Sequence, residues 1–304
     1  MIAQRDAFID AIYRRAKDDS EVIFLSADFG APALDKFRND LPEQFFHMGI
    51  SEQNMMDVAI GLSLRGKKVF AYAMAPFVTF RAAEQHKLAA MMNSRVCVIS
   101  AGVGLGYANA GPTHYATEDF CLLNSIIDAC VYTVSDETVA ESLANAFIDD
   151  PSMMFVRLDR DSGPILGESS TNFRLLRENR AAKICVLTHG FASRLTQRWL
   201  DEDKIDITHL DLIKSKPFPS AVFETVSNYS ALLVVDEQVP NASLGTLIAG
   251  ELAHREGSVP IVKALSLRDS YMYENVGRNA IADKYGLNKN RFREKLSELL
   301  KELR

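Results

Sequence analysis

Short apolar runs alternate with amphipathic stretches along this chain, and that alternation narrows the possible folds more than any other feature. Residues 21–26, 45–48, 68–73, 96–100, 131–134 and 154–158 read as strands. Between them, Ala3, Ala7, Phe8, Ile12 and Ala16 form one helical stripe. The spacing predicts further helices starting at Glu52, running from about Thr79 to Met92, and near Ala116–Asn124. Strands separated by helices are the mark of βα units and a mainly parallel sheet. From about Gly163 to Arg180 the pattern loosens into Gly, Pro, Ser, Asn and scattered charges, as a connector does. A second α/β pattern follows, with strands at 183–188, 205–210, 231–236 and 260–265 and helices at 192–199, 219–227, 244–254 and 291–303. The expected fold is α/β with two doubly wound domains, residues 1–165 and 181–304, joined by a linker at 166–180.

Composition excludes several functional classes. The chain has 304 residues, 47% hydrophobic and 24% charged, enough for two cores of ordinary globular type. A net charge of −6 argues against a nucleic-acid or polybasic membrane partner. No apolar run approaches the roughly 18 residues of a membrane span, and the N-terminus lacks a signal-peptide pattern. Cys97, Cys121, Cys130 and Cys185 form no CxxC pair and read as reduced thiols, so a cytoplasmic location is expected. The glycines at 102, 104 and 106 imitate a dinucleotide loop but miss its third glycine and open no helix. No P-loop, HExxH or His-x-His pattern occurs, so no protein-only metal site is expected.

Five segments carry residues suited to chemistry. Glu52 lies in Met48-Gly49-Ile50-Ser51-Glu52-Gln53-Asn54-Met55-Met56, at the first turn of a helix entering the core. A buried acid without a partner is rare, so this one is placed to give its charge or proton to something bound. The structural alternative is a first-turn acid that complements the helix dipole or closes a capping box. Phe77 and Phe80 stand at i and i+3, as a ligand wall or as two core rings. His114 ends Gly111-Pro112-Thr113-His114, a loop stiff enough to aim a side chain, or simply to hold it against backbone. Asp28 is a turn former, a helix cap or a ligand. Arg157 and Arg160 end the last strand of the first domain, as solvated charge or as a grip on an anion.

Taken in order, Gly49-Ile50-Ser51-Glu52-Gln53-Asn54-Met55, Phe77-x-x-Phe80, Gly111-Pro112-Thr113-His114 and Thr133-Val134-Ser135-Asp136-Glu137 resemble the thiamine-diphosphate enzymes of the transketolase family. The resemblance spans the chain. It implies a pyrimidine-binding domain with a mainly parallel sheet over 1–165 and a transketolase C-terminal-like α/β domain over 181–304. It implies that Glu52 hydrogen-bonds N1′ of the cofactor's aminopyrimidine and favours the imino form, leading to the thiazolium ylid that attacks a ketose carbonyl. Phe77, Phe80 and Asp28 would hold the cofactor. His114 would bond the substrate hydroxyl or developing alkoxide, and Arg157 a substrate phosphate.

The family's Gly-Asp-Gly motif, which with an Asn roughly thirty residues later holds diphosphate and Mg²⁺, is absent from the chain. The resemblance therefore implies the C-terminal half of a split transketolase. A separate N-terminal subunit would supply the diphosphate and Mg²⁺ ligands, in an α2β2 heterotetramer. The implied activity is transfer of a two-carbon ketol unit between a sugar or sugar-phosphate donor and an aldose. The alternatives are the β subunit of a 2-oxo-acid dehydrogenase, a deoxyxylulose-phosphate-synthase-like enzyme, or a non-catalytic regulatory subunit of the same fold. Two departures bear on specificity. Ala110 stands where the family has an aspartate before Gly-Pro-Thr-His, and a histidine common after the preceding strand is replaced near Gly102. Both remove polar partners from the sugar channel and imply an altered donor or acceptor, such as a modified sugar.

Overall fold

The computed structural model describes residues 2–27, 32–255, 257 and 259–304. The first half of the chain runs α1 (Gln4–Ala16), β1 (Val22–Ser26), α2 (Asp35–Asp40), β2 (Phe45–His47), α3 (Glu52–Leu64), β3 (Lys68–Met74), α4 (Ala75–Arg81), α5 (Ala83–Met91), β4 (Val96–Ala101), α6 (Asp119–Ser125), β5 (Cys130–Thr133), α7 (Glu137–Asp149) and β6 (Met154–Leu158). The second half runs β7 (Phe173–Arg177), β8 (Ile184–Thr188), α8 (Phe191–Glu202), β9 (Thr208–Leu212), β10 (Lys214–Lys216), α9 (Ser220–Val226), β11 (Ala231–Val235), α10 (Leu244–Ala253), β12 (Ile261–Leu265), α11 (Arg278–Lys284) and α12 (Lys289–Glu302).

These strands form two sheets, ordered β10-β5-β6-β4-β3-β1-β2 and β12-β11-β8-β9-β7. All pairings are parallel except β10 with β5 and β7 with β9. Parallel strands need helical crossovers, and helices on both faces explain why β1, β4 and β6 are buried at every position. One face of the first sheet buries Phe8, Phe24, Phe70 and Phe147 under α1 and α7. The other buries Met55, Met56, Val78 and Phe155 under α3 and α4. The second sheet is likewise covered on both faces, by Trp199, Phe292 and Leu299 on one side and Phe223, Leu244 and Ile248 on the other.

Three expectations need correction. The helix placed from about Thr79 to Met92 is two helices. α4 starts earlier because Pro76 sits in its first turn, where its missing N–H is not needed, and a non-helical Ala82 separates it from α5. The segment 166–180 is not all linker, since β7 lies within it and forms an edge of the second sheet. Arg174 hid that strand: it is turned inward, donating to Asp211 Oδ2 at 2.9 Å and Asp136 Oδ2 at 2.7 Å, so the apolar alternation breaks. Finally, β10 returns from the second half of the chain to extend the first sheet, so the two units share a strand across the boundary.

Candidate active site

Open parallel sheets bind ligands at the carboxyl ends of their strands, near the point where successive connections diverge. Here the chain leaves β1 for β2 on one side and returns as β3 on the other. The segments after β2, β3, β4 and β6 carry Glu52, Phe77, His114 and Arg160 respectively, and Arg157 lies within β6 itself. Asp28, in the segment after β1, lies outside the described residues.

Glu52 is the first residue of α3 and only 3% exposed. Neither structural alternative accounts fully for its position. Ser51, the N-cap residue, makes no side-chain cap and donates its hydroxyl to the Met48 carbonyl at 2.6 Å. The Glu52 carboxylate instead accepts from Arg81, whose Nη1 lies 3.1 Å from Oε1 and 3.0 Å from Oε2. A cavity of about 670 Å³ opens over this pair, lined by Ile50, Ser51, Gln53, Asn54 and Asp57 as well. Its size suits a small ligand.

Phe77 and Phe80 both lie on α4 but face different surroundings. The Phe77 ring packs edge-on against His114, with centroids 5.2 Å apart, and carries the Arg81 guanidinium over its face at 4.3 Å. Phe80 is 48% exposed. His114 closes the short turn Pro112–His114, half-buried, with its Nδ1 2.9 Å from Thr113 Oγ1. The loop behind it is pinned by backbone pairing of Gly104 with Ala116 and by the Tyr115 hydroxyl donating to Ala108 O at 2.9 Å. Glu52, Phe77 and His114 thus converge, with Arg81 among them. Arg81 escaped the sequence reading because a cation in a helix's last turn reads as a complement to the dipole.

Arg157 does not fit the role of substrate anchor. It is 1% exposed, with Nε and Nη2 each donating to Asp119 at 2.8 Å and Nη1 to Thr133 Oγ1 at 2.8 Å. With the Gln238 amide turned so that its oxygen faces Nη2, a further acceptor lies at 2.9 Å. Position along the strand explains the difference: Arg157 lies inside β6, which is buried on both faces, whereas Arg160, beyond the strand's end, is exposed. The Arg160 guanidinium lies 5.0 Å from the Tyr107 ring centroid, and that ring lies 6.5 Å from His114. Arg160 is therefore linked to His114 through the Tyr107 ring.

The two departures in the sugar channel also have structural form. Gly102 has φ +79°, and a Cβ there would come within 1.9 Å of the Tyr107 ring. Tyr107 fills the space that a side chain at 102 would need. Ala110 is exposed, its N–H donating to Tyr107 O at 2.8 Å.

At the second domain's own strand ends, segments of the first domain pack close. After β8, His189 packs on Phe120 at 4.7 Å. Burial, with Arg157 nearby, drives its pKa well below the usual histidine value. After β11, Glu237 accepts from Leu105 N at 3.0 Å and Val239 N donates to Thr117 O.

For thiamine diphosphate, these residues match the aminopyrimidine half: a buried carboxylate at a cavity, a ring face beside it and a histidine at the edge. For the diphosphate half, no cluster of three or more His, Cys, Asp or Glu able to hold a metal occurs among the described residues. No helix of the described residues is long and apolar enough to cross a membrane.

The architecture is that of a two-domain α/β protein built on two mainly parallel sheets. The sequence family described as "Transketolase, pyrimidine binding domain" matches residues 1–164, and the chain belongs to it. It is 27% identical over 302 residues to one of the subunits of the apulose-4-phosphate transketolase of Phocaeicola vulgatus, covering 95% of both chains. It is 26% identical to transketolase-like protein 2 of Mus musculus, covering 85% of this chain but 41% of that protein. Among solved structures, a split gene transketolase, inactive beta4 tetramer, superposes with a TM-score of 0.84 at 23% identity over 99% of both chains. Transketolase from Leishmania mexicana gives 0.83 at 16% identity, covering 99% of this chain and 46% of that one. The chain thus spans one subunit of the divided relatives and less than half of the undivided ones.

Proposed function

We propose that this chain is the pyrimidine-binding subunit of a two-chain, thiamine-diphosphate-dependent transketolase-like transferase that moves a two-carbon ketol unit. The observation carrying this reading is the buried Glu52 carboxylate at the cavity, beside the Phe77 face, in a chain whose sequence holds no Gly-Asp-Gly. The apulose-4-phosphate transketolase subunit, matched over nearly its full length, supports the division into two chains. The second chain would hold the diphosphate and Mg²⁺, and paired halves with two-fold association favour an α2β2 assembly.

Glu52 would bond the ring nitrogen of the bound base and hold or share its proton there, in a site shielded from water. Phe77 would support the base by its face, and the exposed Phe80 would extend that wall. His114, fixed by its turn and the Phe77 contact, would donate toward the substrate oxygen on which charge develops. Arg160, rather than Arg157, would meet an anionic group on the sugar. When bound, the cofactor supplies a nucleophilic carbon able to add to a carbonyl. With Tyr107 filling the space over Gly102 and Ala110 lacking a carboxylate, the sugar channel offers fewer polar partners than its relatives' motif would, which favours an altered sugar substrate.

The test is reconstitution with a candidate partner carrying Gly-Asp-Gly, in thiamine diphosphate and Mg²⁺. Ketol transfer by the pair, and loss of proton exchange at the cofactor's reactive carbon in Glu52→Gln, are the expected results. Near-normal exchange in that variant, or ketol transfer by the isolated chain, would refute the proposal.

A further inference from the structure

The contact between Arg81 and Glu52 has a feature that an ordinary ion pair does not need. A single nitrogen, Nη1, reaches both carboxylate oxygens, while the guanidinium carbon sits 4.3 Å above the Phe77 centroid. A planar, delocalised cation with in-plane N–H donors is thus bonded to the acid and held over the face of the ring. Those are the properties of a protonated aminopyrimidine. Building on the function proposed above, we infer that Arg81 occupies the seat of the cofactor's base in the free chain, and that the base binds by displacing it.

Three observations support this. First, Glu52 is nearly inaccessible, and a buried carboxylate left alone is costly, so the free chain needs a countercharge there. Arg81 supplies it. Second, the countercharge is built to leave. Arg81 is the last residue of α4, next to the non-helical Ala82, and its side chain is 48% exposed. Its head returns to water by rotating a flexible stem, with little desolvation to reverse. Third, the two occupants exclude each other. A base stacked on the same Phe77 face and bonded to Glu52 needs the volume and the lone pairs that Arg81 now takes. Arg81 also lines the cavity, so moving it joins that space to the Phe77 face. The free chain thereby keeps Glu52 neutralised and unavailable until a base competes for it.

A purely structural ion pair would make Arg81 matter for stability alone, so the test measures binding of the base by itself. The purified full chain, without partner, is titrated calorimetrically with 4-amino-5-hydroxymethyl-2-methylpyrimidine, which carries neither diphosphate nor metal. Arg81→Met, which keeps apolar cover on Phe77, should bind it about tenfold more tightly than wild type or better, the scale of one charge-assisted contact no longer in competition. Arg81→Lys, charged but unable to stack as a plane, should fall between. Adding Glu52→Gln to Arg81→Met should remove the gain. In melting experiments, Arg81→Met should be less stable than wild type when free and should gain more from the base. Equal affinity in wild type and Arg81→Met would overturn the occupancy of the seat while leaving the base site standing. Weaker binding by Arg81→Met would also overturn it, making Arg81 a ligand of the base. No binding by any variant at millimolar base would remove the base site itself, and the proposed function with it.

Discussion

Arg278 offers the sharpest test of how the two domains are joined. It opens α11 and is 8% exposed. Its Nε and Nη2 donate to Glu237 Oε1 and Oε2 at 2.8 and 2.6 Å, and Nη1 donates to Asp159 Oδ2 at 2.7 Å. Burial alone would lower its pKa, but Asp159 and Glu237 outweigh that and hold it above the usual arginine value. Asp159 follows β6 and Glu237 follows β11, so one guanidinium clasps the two sheets' carboxyl ends. Arg278→Met keeps much of the stem's volume and removes the charge. Asp159 retains Arg194 at 2.7 Å, whereas Glu237 keeps only the Leu105 N–H among its described hydrogen bonds. Breaking a buried pair by removing one partner costs about 3–5 kcal/mol, against under about 1 kcal/mol for an exposed pair. With a urea m-value of about 2–3 kcal/mol/M, the midpoint should fall by about 1–2.5 M. The assay is urea unfolding followed by far-UV circular dichroism and by Trp199, the single tryptophan, packed on Phe292 in the second domain. The Arg278→Met/Glu237→Gln double variant should lose at least about 1 kcal/mol less than the sum of the singles. A midpoint shift below about 0.3 M, or additive singles, would refute the clasp.

Other outcomes follow from the same structure. Gly104→Ala places a Cβ 2.0 Å from Glu237 Oε2 at φ +59°, so it should destabilise by about 1–3 kcal/mol and lose additivity with Arg278→Met in the same urea series. Arg157→Leu should cost about 3–5 kcal/mol by stranding Asp119, with phosphate binding unchanged. Arg160→Ala should do the reverse, and isothermal titration of phosphate beside thermal melts separates the two. Buried His86 (held to about 4 by desolvation), His209 (to about 3) and His189 (well below its usual value) stay neutral in the fold but protonate when unfolded below about pH 6.5. Burial pushes Asp236 up to about 7, so it holds a proton in the fold that the unfolded chain releases, and burial also raises Asp211; both shifts act with the opposite sign. Three histidines outweigh two acids, so stability should fall on acidification from pH 6.5 to 4, by about 1–2 kcal/mol per unit near pH 5.5. Asp236→Asn should steepen that fall and raise stability at pH 8, both measurable in urea melts at fixed pH.

The candidate site was legible in part, and the boundary follows physical lines. Glu52 was visible because a charged residue followed by Val58-Ala59-Ile60 violates the expected polarity of a buried helix start. Phe77 was visible through the i, i+3 spacing of two aromatics, and His114 through the backbone-fixing Gly111-Pro112 before it. Arg81 was invisible as a site residue, since its meaning depends on a carboxylate 29 positions away. The choice between Arg157 and Arg160 was equally out of reach. Both are arginines near the end of one strand, and only where the buried strand ends and the position of Asp119 decide which is buried.

Local periodicity determined that this chain builds parallel sheets covered by helices, because side-chain burial repeats every two or 3.6 residues whatever lies elsewhere. Tertiary structure alone decided the rest. It turned Arg174 inward to make β7 an edge strand, sent β10 back to the first sheet, closed the second domain's strand ends with Glu237 and Arg278, and set Arg81 on Glu52 and Phe77. Most of these join groups distant in sequence through charge pairing in a low-dielectric setting, and such pairing leaves no periodic trace in the sequence.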